Sequence, residues 1–247
     1  VFLARRIKKY LGVPVTLATD SEEYITSDYG TDDFDNIITL PYVDDRNMRY
    51  FFDGSLTKKT ASFKNSNRAN VYRLSPYDET LLMDTDYIIS NDLLKGCFGS
   101  KSDFMIYNTS DDIAKVRNEA EFDTISNASV DFYWATVVYF KKTETNRVFF
   151  DLVKHIEDEW NHYRRVYQIT SSLFRNDFAF SIAIHMMNGF QTGTFAQQLP
   201  GSMLYTTDKD ILWQLNEDEM VNHSPKVAVL NENNEIFIGD EIIIFDE

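Results

Sequence analysis

The run Thr80-Leu81-Leu82-Met83-Asp84-Thr85-Asp86-Tyr87-Ile88-Ile89 limits what this chain can become more than any other stretch. Apolar residues up to Met83 stop on two aspartates and resume at Tyr87, with a Ser75-Pro76-Tyr77-Asp78 turn ahead of the run. Such a run predicts a buried strand whose C-terminal tip carries carboxylates, fed by a crossover turn. On an extended strand Asp84 and Asp86 point the same way. Two hard oxygen donors suit Mg²⁺ or Mn²⁺, ions that complete their shells with phosphate oxygens and water. In an acidic chain the same three residues also fit a solvated turn. Two crowded carboxylates repel, so replacing either with asparagine is expected to leave the melting temperature of the metal-free protein unchanged or higher.

With 247 residues, 43% of them hydrophobic and 15% aromatic, the chain can bury a large core. Its net charge of −15 argues against a surface devoted to nucleic-acid backbone, where affinity comes from Lys and Arg. Cys97 is the single cysteine, which suits a reducing cytoplasm. No run reaches the roughly 20 apolar residues of a membrane span.

The order of elements reads as alternating α and β. Val1–Leu11 predicts an amphipathic helix with Arg5, Arg6, Lys8 and Lys9 outward, stopped by Gly12. Strands follow at Val13–Ala18, running into Thr19-Asp20, and at Ile37–Leu40. A helix is expected over Leu56–Leu74, carrying Lys58, Lys59, Lys64, Arg68 and Arg73, and then the Leu81–Met83 strand. Short connections of this kind imply parallel strands, with ligands beyond their carboxyl ends, where Asp20, Asp84 and Asp86 all fall. Further on come strands at Phe104–Tyr107 and Val130–Phe140, helices at Thr145–Tyr163 and Phe174–Asn188, and a β meander over Lys226–Phe245.

The Asp84-Thr85-Asp86 strand end, set behind Arg68 and Arg73 and ahead of a mixed second half, resembles the GT-A fold glycosyltransferases that use nucleoside-diphosphate sugars, notably the glycogenin- and galactosyltransferase-like group. The resemblance implies one α/β domain over residues 1–247: a Rossmann-like mixed sheet flanked by helices with a small C-terminal meander. Residues 1–100 would bind the nucleotide sugar and 101–247 would shape the acceptor side. It implies Mn²⁺ or Mg²⁺ on Asp84 and Asp86, with Thr85 at the donor between them, and His223 as the candidate third ligand. It also implies an opening strand ahead of Val1, and leaves room for a ligand beyond Glu247.

By the same resemblance Asp20 would contact the nucleoside, Ala135 and Thr136 would line the donor sugar, and Asp177 would stabilise positive charge on it. Each has a plain alternative: a loop or cap aspartate for Asp20, a core strand for Ala135 and Thr136, a helix cap for Asp177. Arg68 is the one basic residue assigned to a phosphate or ribose, the others reading as a solvated face. His155 and His162 read as surface residues and His185 as a satisfied core residue. The acceptor is open among glycan, protein, metabolite and modified nucleic-acid base. A nucleotidyltransferase of the sugar-nucleotide pyrophosphorylase kind, a metal-dependent phosphohydrolase, and a carbohydrate- or protein-binding module are the rival readings.

Overall fold

A computed structural model describes residues 1–28, 30–41, 48–53, 57–62, 66–112, 123–126, 130–205, 212–215, 220–222, 228–230, 235–238 and 241–244. The described residues form a mixed α/β protein with several sheets and no barrel. None of their helices is long and apolar enough to cross a membrane. The chain divides into two compact units: Val1–Asp44 with Thr85–Gly96 and Asp208–Glu247, and Asp45–Asp84 with Cys97–Thr207.

The first unit opens with helix α1 (Phe2–Tyr10), closed by Gly12 at φ 64°, a left-handed turn that glycine adopts without strain. Strand β1 (Thr16–Thr19), helix α2 (Glu22–Asp28) and strand β2 (Asn36–Thr39) form a strand–helix–strand unit with β1 and β2 parallel. Arg6 departs from the expected outward face of α1. It is buried, with 2% exposure, and its Nε donates to the Ile89 carbonyl while its guanidinium lies over Phe2 and Tyr10.

The second unit starts with an antiparallel hairpin of β3 (Met48–Asp53) and β4 (Thr57–Ser62). This corrects the helix expected over Leu56–Leu74. Among the described residues of that range, a 3-10 turn at Ser66–Asn70 and the short helix α3 (Val71–Leu74) are the helical parts. The signal was in the sequence: Tyr50-Phe51-Phe52 and the Thr57 and Thr60 positions favour strand, and Asp53-Gly54 is a hairpin dipeptide.

Strand β5 (Glu79–Met83) leads to Asp84. With β6 (Phe104–Tyr107) and β8 (Trp134–Lys141) it forms a sheet in the order β5-β8-β6, antiparallel at both seams. The aspartate strand therefore takes its hydrogen bonds from an antiparallel partner, where parallel pairing was expected. Strand β7 (Ser110–Asp112) is parallel to β9 (Met203–Tyr205).

Helix α4 (Glu144–Asp158) begins at Thr143, whose hydroxyl accepts from the Asn146 N–H at 3.3 Å. The helix expected to run on to Tyr163 breaks at Glu159, and α5 (Trp160–Val166) starts on a tryptophan pinned by its indole N–H to the Ser172 carbonyl at 3.0 Å. Helix α6 (Asn176–Met187) is buried along Ala179–Ile184. Phe104, Phe149, Phe150, Phe140 and Phe180 fill the space between β8 and the helices, with ring centroids as close as 4.6 Å.

The C-terminal meander is present and longer than expected. Strands β10 (Leu212–Leu215), β11 (Met220–Asn222), β12 (Ala228–Leu230), β13 (Glu235–Ile238) and β14 (Glu241–Ile244) pair in sequence order, all antiparallel.

Candidate functional site

The register of β5 on β8 decides where Asp84 stands. Met83 faces Val137, and one residue further the Asp84 N–H donates to the Thr136 carbonyl at 3.0 Å. That same carbonyl accepts from Arg68 Nη2 at 2.7 Å, while Arg68 Nη1 donates to Asp84 Oδ1. The guanidinium is buried, 4% exposed, and the Asp84 side chain is 30% exposed, so the pair has one face toward water. Arg68 Nε is buried with no acceptor among the described residues. Asp84 is thus anchored to a cation, and the relief of repulsion expected on its replacement gives way to the loss of a counter-charge.

One residue along β8, the Ala135 N–H donates to Asp177 Oδ1 at 3.0 Å. Arg175 holds the other carboxylate oxygen through Nη2 at 2.6 Å and Nε at 3.1 Å. From the next turn of α6 the Ser181 hydroxyl donates to the Asp177 carbonyl at 2.7 Å and accepts the Tyr133 N–H at 2.8 Å. The opening of β8, residues 133–136, is therefore stitched to α6 on one side and to Arg68 and Asp84 on the other.

Arg68, Asp84, Ala135, Thr136 and Asp177 come together in the second unit. Ala135 is buried, 2% exposed, and its backbone N–H meets Asp177. Thr136 is half-buried and contributes its carbonyl. Thr85 and Asp86 are exposed in a turn of the first unit. Asp20, also in the first unit, is exposed directly after β1 and accepts from the Ser21 hydroxyl at 3.0 Å. His223 and Lys64 lie outside the described residues, and Arg73 makes a surface ion pair with Asp151 at 2.7 Å. His155 and His162 are exposed as expected.

His185 corrects the sequence reading: it is half-exposed, and among the described residues its contacts are with the rings of Tyr167 and Phe190. The sequence reading also missed Arg175, although it stands two residues before Asp177.

Aspartate oxygens have the hard donor chemistry of Mg²⁺ or Mn²⁺. Among the described residues no three His, Cys, Asp or Glu side chains gather as a metal group. A divalent ion held here would draw its remaining ligands from a bound diphosphate and water, as Mg²⁺ commonly does.

No protein-family model matches the chain, and no solved structure matches it. Over 23 residues it is 96% identical to the aspartate 1-decarboxylases of two Staphylococcus epidermidis strains. That stretch is 9% of this chain and 18% of either enzyme's length. Likeness to known proteins assigns no family. The chemistry of the cluster carries the functional argument instead.

Proposed function

We propose that the chain is a metal-dependent glycosyltransferase of the GT-A kind, working in the cytoplasm and moving a sugar from a nucleoside-diphosphate sugar, a UDP-sugar by preference, to an acceptor hydroxyl. The observation that carries this reading is the buried Arg68 guanidinium paired with Asp84 at the carboxyl end of β5. A cation and a carboxylate together at a strand end are what a metal–diphosphate ligand calls for: the carboxylate for the metal, the guanidinium for phosphate oxygens. On this reading Asp84 and Asp86 hold Mn²⁺ or Mg²⁺, Thr85 lies at the donor between them, and Asp20 contacts the nucleoside. His223 is the candidate third ligand.

When bound, the ion acts as a Lewis acid for departure of the nucleoside diphosphate. Arg68 adds positive charge beside the leaving group, where preorganised charge is worth most. Asp177, fixed by Arg175 and by the Ala135 N–H, offers fixed negative charge toward the sugar ring, with Ala135 and Thr136 forming the wall behind it. Residues 1–100 supply the donor part and 101–247 the acceptor part.

Thermal-shift titration with UDP-glucose, UDP-galactose, GDP-mannose and ATP, each with and without MnCl₂, tests the assignment. Stabilisation by a nucleoside-diphosphate sugar that requires Mn²⁺ supports it. Preference for a nucleoside triphosphate points to a nucleotidyltransferase, and silence toward every nucleotide removes the enzyme reading.

A further inference from the structure

A pocket of about 180 Å³ opens where the start of β8 meets the far end of α6. Its polar lining includes Asp131, Tyr133, His185, Asn188, Gln191 and Thr192. Tyr133 is 8% exposed, and among the described residues only its backbone N–H is hydrogen-bonded. Burial, and then the Asp131 charge, raise the Tyr133 hydroxyl above its ordinary 10, so it stays a donor. The ring nitrogens of His185 and the side chains of Gln191 and Thr192 likewise have no hydrogen-bond partner among the described residues. Asn188 Oδ1 is taken by the Phe195 N–H at 3.0 Å.

Gln191 and Thr192 are exposed and His185 is half-exposed, so these polar groups face water and stand open to a polar ligand. The lining excludes most kinds. Among the described residues no Lys or Arg lines the pocket, so an anion finds no lysine or arginine partner there. Asp131 is the one charged acceptor among the described lining residues. Tyr133, His185, Gln191 and Thr192 each donate and accept, as sugar hydroxyls do.

Phe190 adjoins the pocket-lining His185. It is 64% exposed and sits at φ 63°, a left-handed conformation uncommon for a bulky side chain. Its N–H donates to the His185 carbonyl at 2.9 Å and its ring meets the His185 ring at 5.9 Å. The backbone thus holds an apolar ring in solvent beside a polar pocket, which suits the C–H face of a pyranose.

We propose that this pocket binds a single neutral sugar residue, hydrogen-bonded by Tyr133, His185, Gln191 and Thr192 and stacked on Phe190. The site needs neither nucleotide nor metal.

Saturation-transfer NMR and calorimetric titration of the full chain with D-glucose, D-galactose, D-mannose and N-acetyl-D-glucosamine, free of nucleotide and divalent cation, test it. At least one sugar receives saturation at its ring protons. Tyr133→Phe, which keeps the packed ring, and Phe190→Ala, which removes an exposed one, each weaken that sugar about tenfold. Absence of transfer to all four sugars overturns the proposal, as does affinity unchanged in both variants, or binding of choline in place of any sugar. The titrations contain no nucleotide and no divalent cation, so loss of the nucleotide reading leaves this site standing.

Discussion

At Arg68 a guanidinium almost wholly out of water faces one carboxylate and one carbonyl oxygen, with Nε left over. Removing a partner from such a pair costs more than forming it gained, because the remaining charge stays desolvated. Asp84→Asn is therefore expected to destabilise the ligand-free protein by about 2 kcal/mol, less than a fully buried pair would lose because Asp84 is part-exposed. Adding Arg68→Met to Asp84→Asn recovers part of the loss, and a double-mutant cycle of urea melts measures the coupling. Asp84→Asn that melts at or above the wild-type temperature refutes the role given to Arg68.

Glu79 makes a pH-dependent counterpart on the same strand. Its carboxylate accepts from the Tyr139 hydroxyl at 2.6 Å and the Gly99 N–H at 3.0 Å, and these bonds, the Tyr139 one foremost, hold its carboxyl below the usual 4.5. A folded-state value below the unfolded one means the contribution is full above pH 4.5 and fades as pH falls through the lowered value. The melting-temperature gap between wild type and Glu79→Gln is expected to narrow below pH 4.5; a gap independent of pH rules the linkage out.

Among the elements, β8 and α6 carry the greatest structural weight. Asp177 binds the β8 backbone at Ala135, and Ser181 binds the chain just ahead of β8 at Tyr133, two contacts one helical turn apart that fix the helix against the strand. Asp177→Asn keeps an oxygen for the Ala135 N–H but gives up its charge pair with Arg175, and Asp177→Ala gives up both. We expect Asp177→Asn to cost under about 1 kcal/mol and Asp177→Ala about 2 kcal/mol in urea melts. If the residue also works on the sugar, Asp177→Asn loses turnover far out of proportion to its stability. Equal modest losses in both leave Asp177 a structural residue only.

The sequence was legible where one face or one run was unambiguous: α1, β6, α6 and the tail strands all stand where their patterns put them. It was misread over Leu56–Leu74, where a cluster of lysines and arginines was given helical form although the local residues favour a hairpin. It also placed Arg6 on the outer face of α1, because a positive charge reads as exposed until a buried carbonyl such as that of Ile89 is brought to it.

At the scale of the whole chain, charge acts over the longest range. A net −15 spread over 247 residues repels itself in the folded state. Added NaCl screens that repulsion, so the melting temperature is expected to rise by several degrees from low salt to about 0.15 M, where the screening length is near 8 Å. A fall over that range would show that specific surface pairs such as Arg147 with Glu144 and Asp151 outweigh the net charge. Of the candidate residues, Arg68, Asp84, Ala135, Thr136 and Asp177 belong to one compact unit and Asp20, Thr85 and Asp86 to the other.

By itself the sequence determined that an apolar strand ends on Asp84, that α6 is buried, and that the tail is a meander. Local hydrophobic period and turn chemistry suffice for each. Only the tertiary structure decided that β5 pairs antiparallel with β8, that Arg68 reaches Asp84 across sixteen residues, that Asp177 docks on Ala135 across forty-two, and that Tyr133 and His185 share a pocket. Those are long-range pairings. They follow from strand register and from the need of every buried charge and N–H for a partner, and neither is written in any short stretch of chain.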